Sequence, residues 1–175
     1  MPEPTVPTAT ERVLYRIVSA DAEGLAMQLG ARGDDGTRAL EVGTTPTEAA
    51  LAAGATVSRD QVFFLAKQSD GTVYLHAFAA DDLLATVSGD AMWAPVVMAP
   101  RSASAAQAWT AAVTGDGCYR FTCSTDGGLR IGVATGEDTE GAAVDTGSAC
   151  VVLSADWPGF SDRWILQEVS RASIA

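Results

Sequence analysis

The chain has 175 residues, of which 47% are apolar, and 11 Lys+Arg against 22 Asp+Glu give a formal net charge of −11. A length of this order makes one globular domain that buries roughly two thirds of its unfolded surface, so no metal or disulfide framework is required to hold it together. The carboxylate excess argues against a DNA or RNA binder, which needs a cationic stripe to release counterions, and against binding to anionic membranes.

The first eleven residues contain three prolines and no apolar run. They read as a disordered leader rather than a secretory signal or a membrane span, which implies a cytoplasmic protein. From residue 12 to 170 the sequence reads as a single domain. Strands are expected at residues 12–18, 25–29, 38–42 and 62–66, then at 72–78, 83–87, 95–99 and 108–113. A third set follows at 118–123, 129–133, 142–145 or 150–153, and 163–169. Between the third and fourth strands, Thr45 as N-cap, Pro46 at the first helical position, Glu48 at the capping-box position and Gly54 as a stop predict one short helix. Residues 136–147 are rich in Gly, Thr and acid and read as a loop. Cys118, Cys123 and Cys150 are odd in number and match neither a disulfide framework nor a zinc site, so they read as reduced, buried thiols.

The three sets of strands repeat one another. Tyr15, Tyr74 and Tyr119 are each followed ten residues later by a leucine, Leu25, Leu84 and Leu129. Around those leucines apolar residues alternate with period two, as in Leu25/Met27/Leu29, Leu83/Ala85/Val87 and Leu129/Ile131/Val133. Each set closes on a large aromatic, Phe64, Trp109 or Trp164. The turns Ser69-Asp70-Gly71 and Gly115-Asp116-Gly117 lead into the next unit. The repeats run over about 12–71, 72–117 and 118–170.

Gln107-Ala108-Trp109 followed by Gly115-Asp116-Gly117-Cys118-Tyr119-Arg120-Phe121 resembles the Gln-x-Trp and Asp-Gly-x-Tyr-Arg-Leu pattern of the ricin-B-type lectins. Weaker copies stand at Phe64 with Ser69 to Tyr74, and at Asp162-Arg163-Trp164. The resemblance implies an all-β fold, a β-trefoil of three pseudo-repeats with four strands each. The chain is expected to be a non-catalytic recognition module that binds carbohydrate or a partner protein and needs no cofactor. Because that fold carries unrelated functions, two alternatives stay open: an inhibitor or effector that binds a partner protein, and a small-molecule-binding enzyme or tailoring protein.

The family's sugar-binding units use an Asp on the second strand, a nearby aromatic, and an Asn just before Gln-x-Trp. Here Gln28, Thr86 and Gly132 occupy the second-strand position, and Ala106 precedes Gln107. The first unit keeps the most polar equipment, so Gln28, Asp60 and Gln61 are its candidate ligand-binding residues. Trp93, Trp157 and Phe160 lie outside the repeat register in segments rich in turn residues, which makes them candidates for a ligand or partner surface. The repeat aromatics, by contrast, are expected to pack the core. His76, the single histidine, lacks a nucleophile motif around it and reads as a strand residue. Asp34-Asp35 and Asp81-Asp82 read as solvated turns, with no metal-site spacing.

Overall fold

The computed structural model describes residues 12–22, 24–89, 93–124, 128–134, 149–153 and 160–175. The expected leader, the loop at 136–147 and Trp157 lie outside them. Period-two alternation gives the first repeat four strands, β1 (Tyr15–Ser19), β2 (Leu25–Arg32), β3 (Arg38–Thr44) and β4 (Phe63–Lys67). The second repeat has β5 (Val73–Ala77), β6 (Leu83–Val87), β7 (Val96–Pro100) and β8 (Trp109–Val113). The third has β9 (Tyr119–Cys123), β10 (Arg130–Ala134), β11 (Val151–Leu153), the two-residue β12 (Phe160–Ser161) and β13 (Trp164–Glu168).

Six of these strands close a ring. β1 pairs β4, β4 pairs β5, β5 pairs β8, β8 pairs β9, β9 pairs β13, and β13 returns to β1, all antiparallel. Closure leaves no free edge in the ring. The hairpins β2–β3, β6–β7 and β10–β11 gather over one end of it. There β3 pairs β7, and single bridges join Glu41 to Ala149 and Pro95 to Val151. A six-stranded barrel capped by three hairpins is the β-trefoil.

The pairings fix which residues are equivalent. Tyr15 faces Phe63, Val73 faces Trp109, and Tyr119 faces Trp164. The aromatic closing the first repeat is therefore Phe63 rather than Phe64, and the second repeat begins its pattern at Val73 and Leu83 rather than Tyr74 and Leu84. Phe63, Trp109 and Trp164 are all buried in the main core. The two indoles also donate, Trp109 Nε1 to Ala85 O at 2.9 Å and Trp164 Nε1 to Ile131 O at 3.0 Å, so neither buries an unpaired N–H. Phe64 turns the other way. It joins Leu14, Val57, Val62 and Val169 in a second, smaller core, against which Leu51, Phe78 and Ile174 pack.

The helix α1 runs over Glu48–Ala52 and is capped by Thr47, whose side chain accepts from Ala50 N at 3.1 Å. The expected cap, Thr45, lies before it, and its hydroxyl accepts from Arg16 Nη1 at 3.1 Å instead. Thr47 takes the cap because the Thr45 hydroxyl is engaged by Arg16, which leaves Pro46 ahead of the helix. The three cysteines are buried and free. Burial drives the Cys150 thiol far above its ordinary value.

Candidate functional site

Two of the first-repeat candidates, Gln28 and Gln61, meet. Gln61 closes a 3₁₀ turn, Arg59–Gln61, and is almost fully buried. Its Nε2 donates to Thr44 O at 2.8 Å and to Gln28 Oε1 at 3.2 Å, while Gln28 Nε2 donates to Glu41 Oε1 at 3.1 Å across the β2–β3 ladder. The second repeat makes the same arrangement, with Gln107 Nε2 donating to Pro100 O at 2.8 Å and to Thr86 Oγ1 at 3.1 Å. Ser102 N in turn donates to Gln107 Oε1 at 2.9 Å. Gln61 therefore ties a strand to its turn, and Gln28 and the half-buried Asp60 are the two of the three that reach solvent. Asp60 accepts no side-chain hydrogen bond from a described residue.

At the equivalent place in the third repeat stands Asp162, also buried. A carboxylate cannot donate to a strand carbonyl, and Asp162 is met instead by Arg120 Nε at 3.3 Å and Arg130 Nε at 2.9 Å. The position of Gln28 and Thr86 falls to Gly132, where a Cβ would lie 2.2 Å from Leu153 Cδ1 and 2.9 Å from Ser161 O. The adjacent third-strand positions carry no ring, since they are Gly43, Ala99 and Leu153.

Trp93 and Phe160 meet although 67 residues separate them, with ring centroids 4.6 Å apart and planes tilted by 44°. Trp93 is one of two exposed large hydrophobics among the described residues, at 37%, and its backbone has φ +71°. Its N–H donates to Val152 O at 2.8 Å, which pins that unusual backbone to β11. Left-handed geometry at a tryptophan is costly and persists only where its surroundings enforce it.

His76 stacks on Phe64, centroids 4.6 Å apart and planes 8° from parallel, and its Nδ1 lies 2.8 Å from Asp81 O. Burial lowers its pKa, which keeps it neutral near pH 7. Described residues hold no group of three or more metal-ligating side chains. No described helix is long and apolar enough to cross a membrane.

A feature that sequence reading missed is a cleft of about 560 Å³ beside β1 and β13, roofed by residues 45–49. Arg16 lines it and is only 2% exposed. Arg16 Nη1 also donates to Pro46 O, and burial lowers the guanidinium's pKa. An isolated arginine inside a strand carries no motif, so only the pairing of β1 with β13 and the fold of the inserted segment could reveal it.

No protein-family model matches the sequence, and no curated protein matches it. Solved structures do match. A mosquitocidal holotoxin aligns with a TM-score of 0.67 at 15% identity over 91% of this chain, which spans 18% of that toxin. The designed threefold-symmetric protein ThreeFoil aligns with a TM-score of 0.63 at 19% identity, covering 89% of this chain and 99% of its own. A lectin of Polyporus squamosus, solved with a human-type influenza-binding epitope, aligns with a TM-score of 0.61 at 12% identity over 92% of this chain and 50% of its own. The architecture is therefore that of the β-trefoil proteins, among which the ricin-B-like lectins fall.

Proposed function

We propose that the chain is a non-catalytic recognition module whose ligand is a carbohydrate, gripped in part by the Trp93–Phe160 ring pair. The observation that carries this reading is the exposed Trp93 ring, supported from behind by Phe160 and held on a backbone that a tryptophan rarely adopts. An apolar ring face of this kind stacks on the C–H face of a pyranose, and fixed polar groups nearby replace water at its hydroxyls. Gln28 and Asp60 are separate candidate ligand contacts on the first repeat, and Trp157 belongs to the same group of out-of-register aromatics as Trp93 and Phe160. The lectin neighbour with this fold supports the reading.

A glycan array with free-sugar competition tests it. Competable binding that weakens at least about tenfold in Trp93→Ala, with an unchanged circular dichroism spectrum, is the expected result. A blank array would overturn the carbohydrate reading. The same ring pair fits a protein partner, since tryptophan anchors dominate protein interfaces, and a partner captured by the parent chain and lost in Trp93→Ala would establish that second reading.

A further inference from the structure

The cleft beside β1 and β13 is lined by a cation that has no anion among the described residues. Arg16 and Gln167 are direct cross-strand partners, and Val18 and Ile165 are the next pair along the same face of the ladder. Arg16 is nearly fully buried, yet no carboxylate of a described residue lies within ion-pairing distance of it. Its Nη1 is spent on Thr45 Oγ1 and Pro46 O, and Nε and Nη2 donate to no described group. A buried guanidinium left without an anion is costly. The fold can supply one, because Arg120, equivalent to Arg16 in the third repeat, has Asp162. Across the ladder Gln167 Oε1 is buried without a hydrogen-bond partner. Its orientation is set, since Gln167 Nε2 donates to Glu48 Oε1 at 3.1 Å.

We infer that this cleft binds a hydroxylated carboxylate of sugar-acid size, its carboxylate on Arg16, with Val18 and Ile165 under its apolar face. A planar guanidinium with two free N–H directions suits a carboxylate's two oxygens. The volume of about 560 Å³ exceeds what a two- or three-carbon acid fills and lies in the range of small-ligand sites. The net charge of −11 does not bar an anion, because charges farther than about 8 Å are largely screened at physiological ionic strength. Glu48 at the rim is the nearest opposing charge, and it acts on Arg16 without pairing with it. This site is independent of the Trp93–Phe160 pair.

Calorimetric titration of the full chain with glucuronate, its methyl ester and glucose tests the inference. Glucuronate is expected to bind at least about tenfold more tightly than the ester or glucose, the difference a charged hydrogen bond makes. Arg16→Gln should erase that preference, and Glu48→Gln should tighten glucuronate binding. If Arg16→Gln does not fold, Arg16→Lys serves in its place and should shrink the preference for glucuronate over its ester, because a point charge does not match both carboxylate oxygens. Equal affinity for acid and ester, or no saturable glucuronate binding by about 10 mM, would overturn the assignment. Unchanged preference in a folded Arg16→Gln would overturn it as well.

Discussion

Gln61, Gln107 and Asp162 occupy one structural position and show how a single atom type directs its neighbourhood. The two amides donate into the strand that ends beside them, whereas the carboxylate draws in two arginines. Gln107→Ala would leave Pro100 O, Thr86 Oγ1 and Ser102 N without their partner, and a loss of about 2–4 kcal/mol is expected by urea denaturation. A second residue-scale prediction concerns acid. Asp116 is held far below the ordinary carboxylate range, first by the Thr114 hydroxyl and the Cys118 N–H and then by Arg163, and Asp35 and Asp70 are lowered by Thr37 and Thr72. Depressed folded values mean that this stabilisation is complete above the unfolded value near pH 4 and is lost as pH falls below it. The thermal midpoint should therefore drop on acidification through that range, less steeply in Asp116→Asn. Cys150, buried with its thiol shifted upward, should react with a thiol reagent only when the protein unfolds.

At the scale of elements, β10 leaves no room for a Cβ at Gly132. Gly132→Ala places a methyl against Leu153 Cδ1 and Ser161 O, and a loss of about 1–3 kcal/mol is expected in the same denaturation experiment. Adding Leu153→Ala should relieve part of that clash, because it removes the side chain but not the backbone oxygen. Strand positions were legible because alternation at Leu25/Met27/Leu29 and its counterparts survives in every repeat. Register was less so. Phe63 and Phe64 are adjacent, as are Val73 and Tyr74, and a search for tyrosine and leucine at fixed spacing settles on the wrong member of each pair. Only the cross-strand partners separate the core aromatic from the one that faces the smaller cluster. The helix shows the same limit, since Thr45 and Thr47 both flank Pro46 and the choice between them depends on Arg16 claiming the first hydroxyl. Of the candidate site, the meeting of Gln28 with Gln61 and of Trp93 with Phe160 depends on contacts 33 and 67 residues apart, which residue types proposed but spacing alone could not join.

Across the whole molecule, the ring is completed by pairing the first strand with the last. Residues 15–19 of β1 face residues 168–164 of β13 in order, so Tyr15 and Glu168 lie side by side at the open end of that pair. Beyond it, Val57 N donates to Ser173 O at 2.8 Å and Ala175 N to Val57 O at 2.9 Å, which fastens the last residues to the smaller core. Such distant pairings delay folding, because loop closure precedes any gain from the contacts. They also give the molecule a direction of mechanical weakness. A pull applied to residues 12 and 175 would first detach the Val57 bridge and then load the β1–β13 bonds one at a time, as a zipper opens, rather than all together in shear. Arg16 and Gln167 form the second rung of that zipper. Stretching would take the cleft apart while Trp109 and Trp164 were still packed, so tension would act on that cleft before it reached the core.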